Sequence, residues 1–148
     1  MPSRSFDPPD AGFEARVRAS FAQQAMMRLL GAELVAVRAG DVEIALPFRS
    51  DLTQQHGYLH AAAITAVADS ACGYAALSLM KPGFEVLSVE FKVNLLAPAA
   101  GQRFVAHAWV LKPGRTLTVC AAEVRAEGPD GDKLVAAMQG TMIGAPCR

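Results

Sequence analysis

The sequence predicts an α+β fold in which a curved antiparallel sheet wraps around one long central helix, with a further helix at the N-terminus. The most apolar stretch is too long and too rich in alanine for a strand, and strand patterns lie on both sides of it. Short turns separate these patterns, so the strands pair antiparallel and one helix can cover the inner face of their sheet. A chain of 148 residues is most simply one domain.

The first elements follow from local spacing and turn residues. Residues 1–12 contain three prolines and are predicted to be a flexible lead-in to a single domain over residues 13–148. From Phe13 onward, apolar residues recur at helical spacing until Gly31, a residue that favours a helix stop. The segment "AELVAVRAGDVEIALPFRS" then predicts two short strands around the turn "AGD".

The second half contains the central helix and the remaining strands. A polar loop over residues 49–59 precedes a helix over about residues 60–80, which ends at Pro82 and Gly83. "EVLSVEFKVNLLAP", two segments joined at "KPGR", and "DKLVAAMQGTMIG" predict the strands that follow. Alternation in the first of these places Val89, Phe91, Val93 and Leu95 on one face and Ser88, Glu90, Lys92 and Asn94 on the other. A sheet of five or six strands leaves a face or an edge uncovered, which favours a homodimer.

Charge and cysteine content exclude several classes of protein. The 14 acidic and 14 basic residues cancel and form no block of like charge, which argues against nucleic-acid binding and electrostatic docking on membranes. The three cysteines are widely spaced and form neither a metal-ligand pattern nor a disulfide framework. The N-terminus lacks the apolar core of a signal peptide, so we expect a cytoplasmic protein.

Asp69 is the one formally charged residue in "LTQQHGYLHAAAITAVADSACGYAALSLM", residues 52–80. It also argues against a membrane span there. Burying a carboxylate is costly unless it is paired, hydrogen-bonded or neutralised. One interpretation is a structural carboxylate that bonds to Thr65 or Ser70. The other is a general base or nucleophile whose pKa is set by its enclosure.

Helical spacing divides the central helix into two stripes. Small residues share the stripe of Asp69 and leave room for a ligand or another backbone: Ala62, Thr65, Ala66, Cys72, Gly73 and Ala76. Bulkier residues form the opposite stripe, which suits the sheet: Ile64, Val67, Tyr74 and Leu77.

The start of the same helix offers a second chemical group. Gly57 allows a turn, His60 lies in the first turn, and the N–H groups of Ala61 and Ala62 could stabilise negative charge developing on an oxygen. Asp69 lies nine residues beyond His60, about 13 Å along the axis. One carbonyl carbon cannot lie within about 3 Å of both groups on one helix. If both act on one substrate, they must come from two chains.

The segment "QxxGxxHAAxxxxxAD", residues 54–69, resembles the motif N-x-x-G-x-x-H-G-G-x-x-x-x-x-x-D of hotdog-fold thioesterases of the phenylacetate-pathway (PaaI-like) type. "SVEFKVNLLAPA" and "VLKPGRTLTV" also resemble strands of that family, and the likeness spans about residues 33–143. The resemblance implies a hotdog fold and a dimer that is often paired into a tetramer. It further implies hydrolysis of acyl-CoA thioesters without a metal or other cofactor.

The resemblance also assigns roles by position. Asp69 matches the catalytic acid, which activates water or attacks directly, and Ser88 matches a serine that positions water. His60 matches the histidine that shapes the loop, and the N–H of Ala61 matches the donor that polarises the thioester carbonyl. Gln54 stands where the family usually has asparagine.

Two departures from the family pattern affect this assignment. The side chain of Gln54 is one methylene longer than asparagine, and Gln55 could share its amide role. Ala61 and Ala62 replace two glycines, which keeps the N–H donor but narrows the approach to the acyl chain. With Gly57 and Thr65, Gln55 is predicted to lie along the substrate.

Other candidates for ligand contact are less specific. Lys92, Lys112 and Arg115 are candidates for the phosphates of CoA, with Arg115 beside the "PG" turn preferred, although ordinary surface exposure explains each equally well. His56 and His60 have a metal-ligand spacing but no third ligand nearby, so no metal site is predicted. A nucleophilic role for Cys72 is disfavoured because a buried cysteine usually acts as a small apolar residue.

These observations favour a thioesterase acting on a small or medium acyl-CoA at a dimer interface, with acyl-CoA and a second copy as its partners. Hydration of enoyl-CoA on the same fold is one alternative, but it usually needs Asp and His close together at the helix start. A non-catalytic acyl-CoA sensor or carrier is another, although mere binding does not need Asp69. The acyl group, the choice between general base and covalent mechanism, and the choice between dimer and tetramer stay open.

Overall fold

The computed structural model describes residues 4–148, so the first three residues of the predicted lead-in lie outside it. Its elements confirm the predicted α+β order of helix, two strands, central helix and four strands. They are α1 (Phe13–Gln23), α2 (Ala25–Leu30), β1 (Glu33–Arg38), β2 (Asp41–Pro47), a 3-10 turn (Ser50–Leu52), α3 (Ala61–Leu77), β3 (Phe84–Leu95), β4 (Arg103–Pro113), β5 (Leu117–Glu127) and β6 (Lys133–Pro146).

One antiparallel sheet of six strands carries the fold, in the order β1-β2-β4-β5-β6-β3. The central helix α3 packs across its inner face and contacts β2 to β6. Buried apolar side chains from both layers, such as Ile64, Val67, Phe104 and Met142, form the core between them. Although β3 directly follows α3 in the chain, it pairs with β6 and lies at one edge of the sheet.

The predicted N-terminal helix is divided into two. Gln24 adopts an extended conformation (φ −78°, ψ 105°) between α1 and α2. This break allows the Gln24 side chain to reach α3, where it bonds to Ser70 and Tyr74. Gly31 ends α2 as predicted, with the left-handed conformation (φ 71°) that glycine adopts without steric cost.

The central helix is three residues shorter than predicted at its C-terminal end. Ser78 is fully buried, and its hydroxyl donates to the carbonyl of Ala75 while accepting from the N–H of Gly40. These bonds satisfy groups at the helix end and fix it against the β1–β2 turn. No helix within residues 4–148 is long and apolar enough to cross a membrane.

A β-bulge in β3 corrects the predicted alternation of that strand. Ser88 pairs with Met142 and Glu90 pairs with Thr141, so Val89 is an extra residue between two consecutive pairs. Alternation holds from Glu90 onward, but Ser88 lies on the same, inner face as Phe91. The prediction that Ser88 shares a face with Glu90 was wrong because a period-two pattern cannot register an inserted residue.

Exposed apolar side chains concentrate on β3. Val89 is 53% exposed and Phe91 43%, and Phe84, Leu87 and Leu95 are similarly exposed. An edge strand presents unpaired backbone groups as well, and natural proteins rarely leave such an edge both apolar and uncovered. This edge therefore has the properties of a surface that pairs with another chain.

Candidate functional site

The carboxylate of Asp69 lies where α3 faces the first half of β3. The Ser88 hydroxyl donates to Asp69 Oδ1 at 2.7 Å, because the bulge turns Ser88 inward. Ser70 does not bond to Asp69 and donates instead to Gln24. Thr65 makes no side-chain bond to Asp69 within residues 4–148 either. The interpretation of Asp69 as a carboxylate held by Thr65 or Ser70 is therefore wrong. Asp69 is also partly exposed in one protomer, where an enclosed group was expected.

Asp69 opens into a cleft of about 640 Å³, here called the acid cleft. Its walls come from α1, from the second half of α3, and from the first residues of β3. The lining includes Ser20, Gln24, Asp69, Ser70, Gly73, Tyr74, Leu77, Phe84, Val86 and Ser88. The room beside Asp69 that the small-residue stripe predicts is thus present, and Gly73 lies in it.

The start of α3 presents one free N–H donor. The His60 backbone is extended (φ −62°, ψ 140°), and its ring Nδ1 accepts from the N–H of Ala62 at 2.9 Å. The N–H of Ala61 has no hydrogen-bond partner among residues 4–148. Of the two donors that the sequence suggests, Ala61 is therefore the one available to a ligand.

Gln54 organises the loop before this helix. Its Oε1 accepts from the N–H of His56 at 2.5 Å and of Tyr58 at 3.3 Å, and its own N–H donates to the Tyr58 carbonyl. Gly57 lies within this loop with φ 82°, which explains why a glycine is needed there. Gln55 is exposed and makes none of these contacts, so the geometry favours Gln54 for the amide role.

The free N–H lies at a second cleft of about 500 Å³, here called the amide cleft. Its lining includes Gln54, Tyr58, Leu59, Ala61, Ile64, Leu95, Leu96, Pro98 and Val135. The two clefts share no lining residue. Along α3, Ala61 and Asp69 are separated by about 12 Å, so one protomer keeps the acid and the donor apart.

The other predicted contact residues are dispersed. Thr65 lies on α3 between the two groups, partly buried, and lines neither cleft. Lys92 is on the outer face of the sheet opposite Gln139, away from Asp69 and Ser88. Arg115 is exposed in the β4–β5 turn.

Strand register locates the Arg115 turn more closely. Leu117 pairs with Ile143, which pairs with Leu87, so the turn lies at the same end of the sheet as the acid cleft.

The two buried cysteines, Cys72 and Cys120, are poor nucleophiles. Burial raises the pKa of the Cys72 thiol well above its usual value, with Cys120 and Asp69 adding to the effect. Burial also raises the pKa of Cys120 to about 12. Because only the thiolate attacks carbonyl groups, the nucleophilic interpretation of Cys72 finds no support.

A group that the sequence did not reveal is an ion-pair network on the outer face of the sheet. Arg38 contacts Asp41 at 2.7 Å and Glu43 at 2.6 Å, and His107 Nε2 lies 2.8 Å from Asp41. The bond to Asp41 raises the pKa of His107, although partial burial opposes this. Burial would raise the pKa of Asp41, but its bonds to His107 and Arg38 lower it. Arg38 offsets one of the two carboxylate charges, and His107 offsets the other when it is protonated.

Tyr74 is a further residue of the cleft whose position was predicted wrongly. Spacing placed it on the stripe facing the sheet, but its ring packs edge-on against Phe21 of α1 with centroids 6.0 Å apart. Its hydroxyl bonds to side chains of the N-terminal segment. No local sequence signal indicates this, because it depends on how α1 docks onto α3.

Comparisons with known proteins agree on one family. The family model described as the thioesterase superfamily matches residues 56–132. The crystal structure of a thioesterase family protein from Silicibacter pomeroyi is 48% identical, with a TM-score of 0.90, and the alignment covers 92% of this chain and 100% of that one. A conserved protein from Pseudomonas aeruginosa is 32% identical over 82% of this chain and 94% of its own, with a TM-score of 0.76.

The PaaI protein of the phenylacetic acid degradation operon of E. coli has the same fold. It is 21% identical, with a TM-score of 0.80 over 90% of this chain and 93% of its own.

Proposed function

This chain belongs to the thioesterase superfamily and is a thioester hydrolase with the hotdog fold, and from that premise we propose that it cleaves acyl-CoA thioesters at a site shared by two copies. The observation that carries the proposal is the separation of the two reactive groups. In one protomer, Asp69 opens into the acid cleft and the Ala61 N–H into the amide cleft. Each cleft is half of a hydrolytic site.

The edge strand β3 supports this arrangement because it connects the two clefts. Its first residues, Phe84 to Ser88, line the acid cleft, and its last residue, Leu95, lines the amide cleft. If two β3 strands pair antiparallel about a two-fold axis near their middle, the start of one lies beside the end of the other. The acid cleft of one protomer then faces the amide cleft of its partner, and the exposed apolar side chains of β3 become buried.

The chemistry follows from the groups so assembled. The Ala61 N–H, at the positive end of the α3 dipole, stabilises the oxyanion that forms when the thioester carbonyl is attacked. Asp69 of the other chain activates the attacking water or attacks the carbonyl itself. The Ser88 hydroxyl donates a hydrogen bond to Asp69 Oδ1. This bond orients the carboxylate and leaves Oδ2 free to face the water or the carbonyl carbon. His60 keeps the Ala62 N–H engaged, so Ala61 is the donor that faces the substrate.

We assign binding of the CoA phosphates to exposed basic side chains. Arg115 is the better candidate for these phosphates, since its turn lies at the acid-cleft end of the sheet. Lys92 is the second candidate because it lies on β3 beside the dimer edge. Thr65 lies on α3 between the two reactive groups and would face the joint site. Pairing of two dimers into a tetramer and a cytoplasmic location stay predictions.

The test is release of free CoA thiol from a panel of short, long and aromatic acyl-CoAs. We expect turnover by the wild type and a loss of about 10²-fold or more in Asp69→Asn, with an unchanged circular dichroism spectrum. Asp41→Asn is the matched control, since that carboxylate lies on the outer face of the sheet. Hydrolysis by Asp69→Asn at the wild-type rate would disprove the role of Asp69.

The same panel separates the alternatives. Enoyl-CoA hydration predicts loss of enoyl absorbance from crotonyl-CoA, but the His60 ring is engaged at the helix start, away from the acid cleft. A sensor or carrier would bind acyl-CoA tightly and release no thiol over hours. Thiol release that depends on Asp69 excludes both as the main activity.

A further inference from the structure

Four side chains form a hydrogen-bonded cluster in the acid cleft. Gln24 Nε2 donates to the Tyr74 hydroxyl at 2.9 Å, and the hydroxyl groups of Ser20 and Tyr74 bond to each other at 3.3 Å. Ser70 Oγ donates to Gln24 Oε1 at 3.0 Å. All four residues line the cleft, so the cluster joins α1 and the α1–α2 break to α3 along one wall.

The hydroxyl groups of Ser20 and Tyr74 have one unused donor between them. Gln24 donates to the Tyr74 oxygen, and the contact between the Tyr74 and Ser20 oxygens holds one of their two protons. The other proton has no acceptor among residues 4–148, and Tyr74 is only 4% exposed. Buried hydroxyl groups normally both donate and accept where they can. The cleft therefore presents a hydroxyl donor to a ligand.

The cluster lies within reach of a short acyl group bound at Asp69. Ser70 is the next residue after Asp69, and Tyr74 lies five residues beyond Asp69, about 7.5 Å along the axis of α3. All three side chains line the acid cleft. The walls between are small or apolar, including Ala19, Gly73 and Val86.

The charges around the cleft favour a neutral oxygen. Arg16 lies at its far end, but its guanidinium is paired with Asp10 at 2.8 Å and donates to the Met80 carbonyl at 2.7 Å. Asp69 and Glu85 also line the cleft and would repel a second carboxylate. An acyl carboxylate would therefore meet more negative than unpaired positive charge.

We propose that the enzyme selects short acyl groups that carry a neutral oxygen, a hydroxyl or oxo group, a few bonds from the thioester carbonyl. That oxygen accepts a hydrogen bond from the hydroxyl pair of Ser20 and Tyr74, which Gln24 holds in place. The inference rests on the proposed thioesterase function and names its substrate class.

The test measures kcat/KM for CoA release from acyl groups of four to six carbons with a hydroxyl or oxo group on the third, fourth or fifth carbon. Each is compared with its unsubstituted homologue. We expect the wild type to prefer the oxygenated member at one of these positions by roughly tenfold or more, as one buried hydrogen bond to substrate allows. Tyr74→Phe is expected to reduce that preference about tenfold.

Two controls separate this effect from loss of stability. Ser78→Ala also removes a buried, bonded hydroxyl from the end of α3 but lies outside the cleft, so it should melt earlier and keep the wild-type preference. If Tyr74→Phe does not fold, the wild-type series still decides the question. Thiol release with no preference at any position overturns the inference alone. No thiol release from any acyl-CoA overturns the proposed function and the inference together.

Discussion

A site shared by two chains predicts that two inactive variants restore each other. Asp69→Asn removes the acid, and Ala61→Pro removes the N–H donor. Proline suits Ala61 because the first residue of a helix uses no intrahelical N–H bond. The preceding His60 already has the extended conformation (φ −62°, ψ 140°) that proline requires of its neighbour. The helix should therefore survive the substitution.

The expected magnitude follows from the number of intact sites. Alone, Asp69→Asn should lose about 10²-fold in turnover and Ala61→Pro about 10²–10³-fold. In an equimolar mixture that exchanges subunits freely, about half of the dimers are mixed, and each mixed dimer has one site with both defects and one with none. Activity should therefore recover to about a quarter of the wild-type value, at least tenfold above either variant alone.

The assay follows thiol release during exchange, with mixed dimers quantified by native mass spectrometry. Each variant incubated alone is the control for slow activation, and activity should rise in proportion to the mixed-dimer fraction. If mixed dimers form fully and activity stays at the level of the single variants, Asp69 and Ala61 do not act together across the interface.

Three further predictions concern assembly, thiols and pH. Phe91→Lys places a charge on the exposed apolar edge and should shift the protein toward monomer in sedimentation velocity, with loss of turnover; an unchanged dimer would argue against pairing through β3. Cys147 is exposed, so a thiol reagent should label it at once, and the buried cysteine pair only after unfolding; rapid labelling of three thiols in the folded protein would contradict the burial. Because the bond to Asp41 raises the pKa of His107 above 6.5, the pair should add stability below about pH 6.5 and lose it as pH rises through the raised value. Urea unfolding should show this as a change of under about 1 kcal/mol that His107→Gln abolishes, and a pH dependence equal in both proteins would refute it.

Local sequence signals predicted most of the architecture. Gly31 marks the end of α2, Pro82 and Gly83 lie in the turn after α3, and "AGD" and "KPGR" mark the hairpins, because the conformational preferences of these residues hold in almost any context. The lone carboxylate and the helix start were also recognisable, since both are costly or rare in an apolar stretch. Their separation in one chain followed from helix rise alone.

The remaining features depend on contacts between distant segments. The extra residue Val89 is invisible to a period-two pattern, so the inward turn of Ser88 was missed. The break at Gln24 and the orientation of Tyr74 both follow from the docking of the N-terminal helices on α3. The open position of Asp69 reflects the edge location of β3, which is set by its pairing with the last strand of the chain.

The origin of one wall of the acid cleft in α1 and the α1–α2 break has a consequence for how this protein can diversify. This segment supplies Ser20 and Gln24 but neither the acid nor the N–H donor, and it precedes the region that matches the family model. An acyl tail in the cleft would meet this segment on one side and Tyr74, on the same helix as Asp69, on the other. Grafting residues 13–24 from a relative would alter the range of accepted acyl tails while keeping Asp69 and Ala61 in the chain.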